Sequence, residues 1–431
     1  MLATRTKFYP LETAQSSLIG LTGFTASIAP LAVPALLVAI ILVTVAQDFV
    51  TGARLVAARG GFSPRPELVF SMALFGFGLA SCTWALKPMS SLTSLAQIAL
   101  LVFGSWYVVG ALDKHLRGLD RIRQTRYTRA LPLAAIFVGI YFLLEWATGN
   151  GPTLFFVRHM SWMFDGFENA IVYAQPGVAV GLNEIYFNRT AAAMVLMMTG
   201  LTAALCFWPK PSLKYALGLL GILFTVGICV TSGSSTALLM LICGGLAFLL
   251  AVWAPGRAVR TLQALLIVAT IAAIPLSMVP KALGWEKSKL IPFSFQERVV
   301  IWNDLAHMAL QTPLHGIGIN SIKYWSGPPG KPIDRQTRRL YWHPHNGYLQ
   351  IWLELGLIGA LLFCGAGYFL LDRIGKFQRD MQPYACALAG ITLVAIGPGW
   401  GLWQPWLVAS ICFGWIVLLL VRFEFERIEG P

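Results

Sequence analysis

Apolar runs long enough to cross a bilayer, about 18 residues or more, recur from one end of this chain to the other. That recurrence leaves few folds open. In lipid every backbone N–H and C=O must be satisfied internally, and runs this long and continuous become helices rather than the short strands of a barrel. The runs fall at about 14–29, 31–47, 67–86, 91–111, 131–149, 189–208, 213–231, 234–253, 261–279, 346–371, 383–399 and 402–421. The expected fold is an all-α polytopic membrane protein with about 12 transmembrane helices. Residues 16–47 form one overlong run, which Pro30 and Pro34 divide into two short spans. Charged residues make up 12% of the 431, about half the share of a soluble domain. Met1–Ser17 has Arg5 and Lys7 but no short apolar core with a small-residue cleavage site, so no removable signal peptide is expected.

The formal net charge of +13 raises the question of a nucleic-acid partner. In a polytopic chain, orientation explains it first, because cytoplasmic loops accumulate Lys and Arg. With the N-terminus inside, the inside loops hold Arg54, Arg59 and Arg65, then Lys114, Arg117, Arg121, Arg123, Arg126 and Arg129. Lys210 and Lys214, Arg257 and Arg260, and Arg373, Lys376 and Arg379 follow, with Arg422 and Arg427 in the tail. Short outside loops hold little beyond Lys87, Arg158 and, at a boundary, Arg189. The alternation predicts both termini inside, with basic loops suited to anionic membrane lipids and no nucleic-acid partner. The chain then divides into spans over 1–279 with an outer loop at 150–188, a large outer loop at 280–345, and final spans and a short tail over 346–431.

The large outer loop, between the ninth and tenth spans, has internal order. Val299, Trp302, Leu305 or Ala306, and Ala309 recur at helical spacing and predict an amphipathic helix over 297–310. Thr312-Pro313 and Gly316-Ile317-Gly318 end it, and Gly327-Pro328-Pro329-Gly330 predicts an irregular loop before the basic stretch Lys331–Arg339.

Candidate chemistry gathers where this loop meets the next span, at Trp342-His343-Pro344-His345-Asn346-Gly347-Tyr348. Histidine is the side chain best suited to take a proton from a hydroxyl near neutral pH. His343 and His345 flank a proline, with no Asp, Glu or Cys nearby to complete a ligand set, so no metal is expected. Packing or helix capping is the plainer reading of the pair. Arg298 opens the amphipathic helix, where its fork and the helix amides suit a phosphate; pairing with Glu297 or Asp304 is the alternative. Arg189 opens the sixth span on the side that otherwise avoids positive charge, with snorkelling as its alternative. The seven cysteines all fall inside predicted spans without a CxxC pair, so neither disulfide nor zinc site is expected. There is no Asp-x-Asp and no Gly-x-x-x-x-Gly-Lys-Ser/Thr, hence no visible metal-held sugar nucleotide or NTP site and no expected cofactor.

Arg298, Trp302, Pro313-x-x-Gly316-x-Gly318, His345-Asn346-Gly347-Tyr348-Leu349 and Glu354-Leu355-Gly356-Leu357-Ile358-Gly359, in that order, resemble the O-antigen ligase/polymerase superfamily. The likeness is specific over about residues 225–370. It implies a GT-C-like membrane glycosyltransferase of the bacterial inner membrane, with its active site in the periplasm. Such an enzyme moves a glycan from undecaprenyl diphosphate to a hydroxyl acceptor, lipid A–core or a growing glycan, without metal or nucleotide. On the matching motifs, His345 is implied as catalytic, with Arg298 and Arg189 holding the donor diphosphate. Asn346 and, secondarily, His343 are implied to touch substrate. Where many members carry Ser-Arg after the seventh span, this chain has Thr231-Ser232-Gly233-Ser234-Ser235. A cationic contact is then left for Arg158, Arg338 or Arg339 to supply. The expectation is a ligase ahead of a polymerase of O-antigen or exopolysaccharide. A lipid-linked glycan transporter is the alternative from another class, although Glu145 and Asp48, its nearest candidate ionisable groups, lie at span edges.

Overall fold

The computed structural model describes residues 9–51, 65–118, 136–141, 143–160, 171–175, 178–182, 184–206, 219–220, 222–223, 225–227, 229–230, 232–291, 293–325 and 343–428. Its main helices are α1 (Tyr9–Ile28), α2 (Val33–Thr51), α3 (Pro66–Ser81), α4 (Pro88–Gly118), α5 (Gly151–His159), α6 (Glu184–Cys206) and α7 (Ser235–Trp253). They continue with α8 (Pro255–Ile271), α9 (Ala273–Ala282), α10 (Phe293–Ala309), α11 (Gly347–Asp372), α12 (Gln382–Ile396) and α13 (Pro405–Ile428). A shorter apolar helix covers Ile136–Ala147. One antiparallel hairpin, β1 (Ile171–Gln175) with β2 (Val178–Leu182), departs from the all-α expectation and lies within 150–188.

Among the described residues five helices are long and apolar enough to cross a membrane, or six if the bent pair α8 and α9 is one span. Many of their apolar side chains, such as Leu42, Leu246 and Trp253, are exposed, as lipid-facing surfaces require. The chain is therefore an α-helical polytopic membrane protein. The break between α1 and α2 falls at Pro30, where the sequence places it. The ninth predicted span instead bends by 71° between Ile271 and Ala273. Pro275 lacks the N–H that would continue the helix and disfavours helical backbone just before it. At this bend the Trp352 indole donates to the Thr270 carbonyl at 2.6 Å.

At the centre stands α6, whose residues Ala191–Met198 are buried without interruption. It packs on α13, α12, α1 and α7, so it has no solvent- or lipid-facing stripe over that stretch. α10 follows the predicted amphipathic helix: Val299, Trp302, Leu305, Ala306 and Ala309 are all buried, and it packs on α9 and α11.

A break in α11 sets the arrangement beside α10. Gly356 has φ 62° and ψ −159° within the helix. The helical bonds from Leu357 N to Leu353 O and from Ile358 N to Glu354 O are thereby lost. The segment after α10 replaces them. Ile317 N donates to Leu353 O and Gly318 N to Glu354 O, each at 2.9 Å. In return Leu357 N donates to Pro313 O at 2.8 Å and Ile358 N to Leu314 O at 3.2 Å. A buried break is tolerable only when its backbone groups are satisfied again in this way. The exchange also explains the glycines. A Cβ on Gly356 would stand 2.4 Å from the Leu314 carbonyl carbon, and one on Gly316 2.3 Å from that of Glu354. The strap is anchored on its other side as well, with Ile319 N donating to Ser81 Oγ at 3.1 Å and Ser91 Oγ to Ile319 O at 2.7 Å.

Gly356→Ala should therefore cost at least about 2 kcal/mol, combining a left-handed conformation with a backbone clash. Thermal unfolding in detergent should show a clear drop in apparent Tm. Gly245→Ala, where an added Cβ meets nothing within 4 Å, should leave Tm unchanged or raise it. Equal behaviour of the two variants would contradict the lacing of the strap into the helix break.

Candidate active site

Four elements bring polar groups to one place: the side chains of the segment His343–Asn346, of the first turns of α10 and of the first turns of α6, and the backbone carbonyls of the turn between α12 and α13. His345 has φ 50°, uncommon for a residue with a Cβ. Its neighbours hold it there. The Trp302 indole donates to Pro344 O at 2.8 Å, fixing the preceding residue to α10. Asn346 caps α11, its Oδ1 accepting from Tyr348 N at 3.1 Å and Leu349 N at 3.2 Å.

The imidazole of His345 points Nδ1 at the Gly399 carbonyl, 2.9 Å away. A carbonyl oxygen only accepts, so the neutral ring carries its proton on Nδ1 and leaves the Nε2 lone pair free to accept one. Burial and the positive charge of Arg298 lower the His345 pKa from 6.5 to about 4, against a smaller opposing effect of the Gly399 carbonyl. The ring is therefore neutral at physiological pH.

Arg298 lies on the first turns of α10, with Nη1 donating to Pro398 O at 2.8 Å. Burial pulls its pKa down, and Glu297 pulls it up. The expected alternative partner Asp304 is instead 3.4 Å from Lys281 Nζ. Adjacent carbonyls of one turn, Pro398 and Gly399, thus hold the guanidinium and the imidazole. His343 completes the cluster, its ring centroid 4.0 Å from that of His345. Its Nδ1 is buried with no hydrogen-bond partner among the described residues. Burial, then the charges of His345, Arg189 and Arg298, push its pKa down. That dependence puts Arg189, from the start of α6, in the same electrostatic neighbourhood.

Of the residues singled out from sequence, His345, Arg298, His343 and Arg189 converge here. Asn346 is adjacent, with its carbonyl oxygen engaged in the helix cap. Arg338 and Arg339 lie outside the described residues. Arg158 sits on α5. The turn Gly397-Pro398-Gly399-Trp400-Gly401 was not among the sequence candidates. Its only signal is a density of Gly and Pro between two apolar runs, which reads simply as a turn. Its closeness to the site shows at Gly401, where an added Cβ would stand 2.9 Å from that of His343. Among the described residues no group of three or more His, Cys, Asp or Glu could hold a metal ion.

Residues 220–364 match the O-antigen ligase family. A Rickettsia bellii protein named "Putative polysaccharide ligase" is 27% identical over 369 residues, covering 83% of this chain and 79% of its own. A Rickettsia prowazekii protein of the same description is 25% identical over 370 residues, with the same coverage of each chain. A Rickettsia conorii counterpart reaches 32% over 133 residues, 30% of this chain and 31% of its own. Over residues 220–364 the chain is similar to the O-antigen ligase family. The family match takes in Arg298, the strap, both histidines and the break at Gly356. Two features of this ligase-like chain's site, Arg189 and the Pro398–Gly401 turn, lie outside it.

In a titration followed by histidine 15N NMR, His345 should stay neutral and Nδ1-protonated through 6.5 and take up a proton only near 4. The folded value is depressed, so between these two pH values the unfolded chain binds the proton and the folded one does not. Stability from this residue is present above about 6.5 and is lost as pH falls toward 4. A titration midpoint near 6.5 would contradict the buried, arginine-facing environment.

Proposed function

We propose that this ligase-like chain transfers a glycan from undecaprenyl diphosphate to a hydroxyl of lipid A–core, at the periplasmic face of the inner membrane and without a metal. One observation carries the reading: a neutral His345 whose Nε2 lone pair is free, set beside Arg298 and against the ring of His343, which the charge of Arg189 also reaches. The acceptor O–H gives its proton to Nε2. Its oxygen bonds to the anomeric carbon as the bond from that carbon to the diphosphate oxygen breaks, and the electron pair leaves with the diphosphate. The negative charge that grows on the leaving group falls to the arginines, a metal-free form of charge stabilisation. Burial, together with the charge of Arg298, keeps His345 unprotonated in the absence of substrate, so its Nε2 can accept a proton. A hydroxyl of lipid A–core is favoured over the end of a growing glycan by the relatives, whose names describe polysaccharide ligases.

The same proposal places residues 280–345 on the periplasmic side and both termini in the cytoplasm, following the distribution of Lys and Arg over the short loops. It also extends the described helices to the 12-span, GT-C-like arrangement expected from the apolar runs.

His345→Ala, purified and supplied with lipid-linked glycan and lipid A–core, should lose at least about 100-fold in transfer rate. Normal transfer by correctly folded protein would remove the base from the mechanism. Arg298→Lys should also be severely impaired, because a point charge replaces a fork that can bind two oxygens; wild-type activity would overturn the diphosphate clamp. Excess EDTA should leave transfer unchanged, and a loss that added divalent metal reverses would contradict a metal-free reaction.

A further inference from the structure

Glu354 is fully buried inside α11, and the mechanism above does not use it. Its carboxylate is met entirely by donors. Oε2 accepts from Asn320 N at 2.7 Å and from the Trp403 indole. Oε1 faces the Gln350 amide nitrogen at 3.4 Å. Gln350, itself buried, has no freedom to turn its amide over, because its Oε1 accepts from Leu402 N at 2.8 Å. The contacts at position 354 thus call for acceptor oxygens, which the Glu354 carboxyl group supplies.

These bonds run to the segment that holds the reacting side chains. Leu402 and Trp403 follow the turn whose Pro398 and Gly399 carbonyls grip Arg298 and His345. Asn320 belongs to the strap laced into the helix break. Building on the transfer mechanism proposed above, we infer that Glu354, relayed through Gln350, is a positioning residue: it fixes the turn between α12 and α13, and so aims the His345 imidazole and the Arg298 guanidinium. It touches neither side chain.

The hydrogen-bond directions make a sharp test possible. Glu354→Gln puts an NH2 group against the Gln350 NH2. If Gln350 turns over to relieve that clash, its NH2 meets the Leu402 N–H instead. Either way one link to the turn is lost. Exchanging the two residues, Gln350→Glu with Glu354→Gln, restores the pairings with Asn320, Trp403 and Leu402 and the one between positions 350 and 354. Gln at 354 then accepts from Asn320 N and Trp403 while donating to the new carboxylate at 350, which also accepts from Leu402 N.

The experiment compares wild type, E354Q, the exchanged double variant and H345A, each purified at full length. Glycan transfer gives kcat and donor KM, and histidine 15N NMR gives the His345 tautomer. E354Q should lower kcat about 10- to 100-fold, as expected for a misaimed catalytic group, and should weaken the Nδ1-protonated signature of His345. The exchanged variant should recover both to within a few-fold of wild type. Wild-type kcat and an unchanged His345 signal in folded E354Q would overturn the inference, as would an exchanged variant that folds but recovers neither. If E354Q does not fold, the exchanged variant decides alone by the same two readouts. Full transfer by H345A would sink the underlying mechanism instead, and the NMR signal would still report whether Glu354 sets the imidazole.

Discussion

Between Leu353 and Ile358, α11 gives up two helical hydrogen bonds and makes four with the strap that follows α10. Much of the site depends on that exchange. It ties α11 to the strap, and the strap to the region around Ser81 and Ser91. It also brings Asn320 onto Glu354, about two helical turns into α11 from the histidines. Only glycine permits it at two of the crossing points, since each added Cβ would meet opposing backbone well inside contact distance. The motif Pro313-x-x-Gly316-x-Gly318 and the later Glu354-Leu355-Gly356 are therefore two halves of one joint.

Above this joint, the site's electrostatics follow from burying basic groups together. Two imidazoles lie in contact, with Arg298 bound to a backbone carbonyl and Arg189 close enough to depress His343. Buried beside positive charge, both rings lose affinity for protons. What results is a cationic cluster around neutral imidazoles. Such a cluster suits an anionic leaving group and a neutral nucleophile better than the reverse, the charge distribution of the transfer proposed above.

The α-helical, polytopic character was legible in the sequence because lipid enforces simple rules: apolar length for helices and Pro30 for the first break. The amphipathic periodicity of α10 was legible for the same kind of reason, since Val299, Trp302 and Leu305 had to find an apolar surface. His345, Arg298 and Arg189 were singled out by chemistry, position and the family resemblance, and the structure brings them into one cluster. Less visible were contacts that join residues far apart in the chain. Nothing local marks the Gly399 carbonyl as the partner of a histidine 54 positions earlier, and Pro398–Gly401 looks like any turn. Gly356 within an apolar run reads as a helix residue, and its conformation became interpretable only once the strap was seen to supply the missing bonds. Asn346, which the matching motif implies to touch substrate, has its carbonyl oxygen engaged in capping α11.

The claim at the centre of this account is that the cluster of His345, Arg298 and Arg189 receives a lipid diphosphate. It is tested most directly by solid-state NMR on protein labelled with 15N arginine and reconstituted with undecaprenyl-diphosphate-linked glycan. Dipolar coupling between 31P of the lipid and guanidinium nitrogens should be strong in wild type and largely lost in Arg298→Ala. Coupling that persists undiminished in Arg298→Ala would place the diphosphate elsewhere and contradict the account.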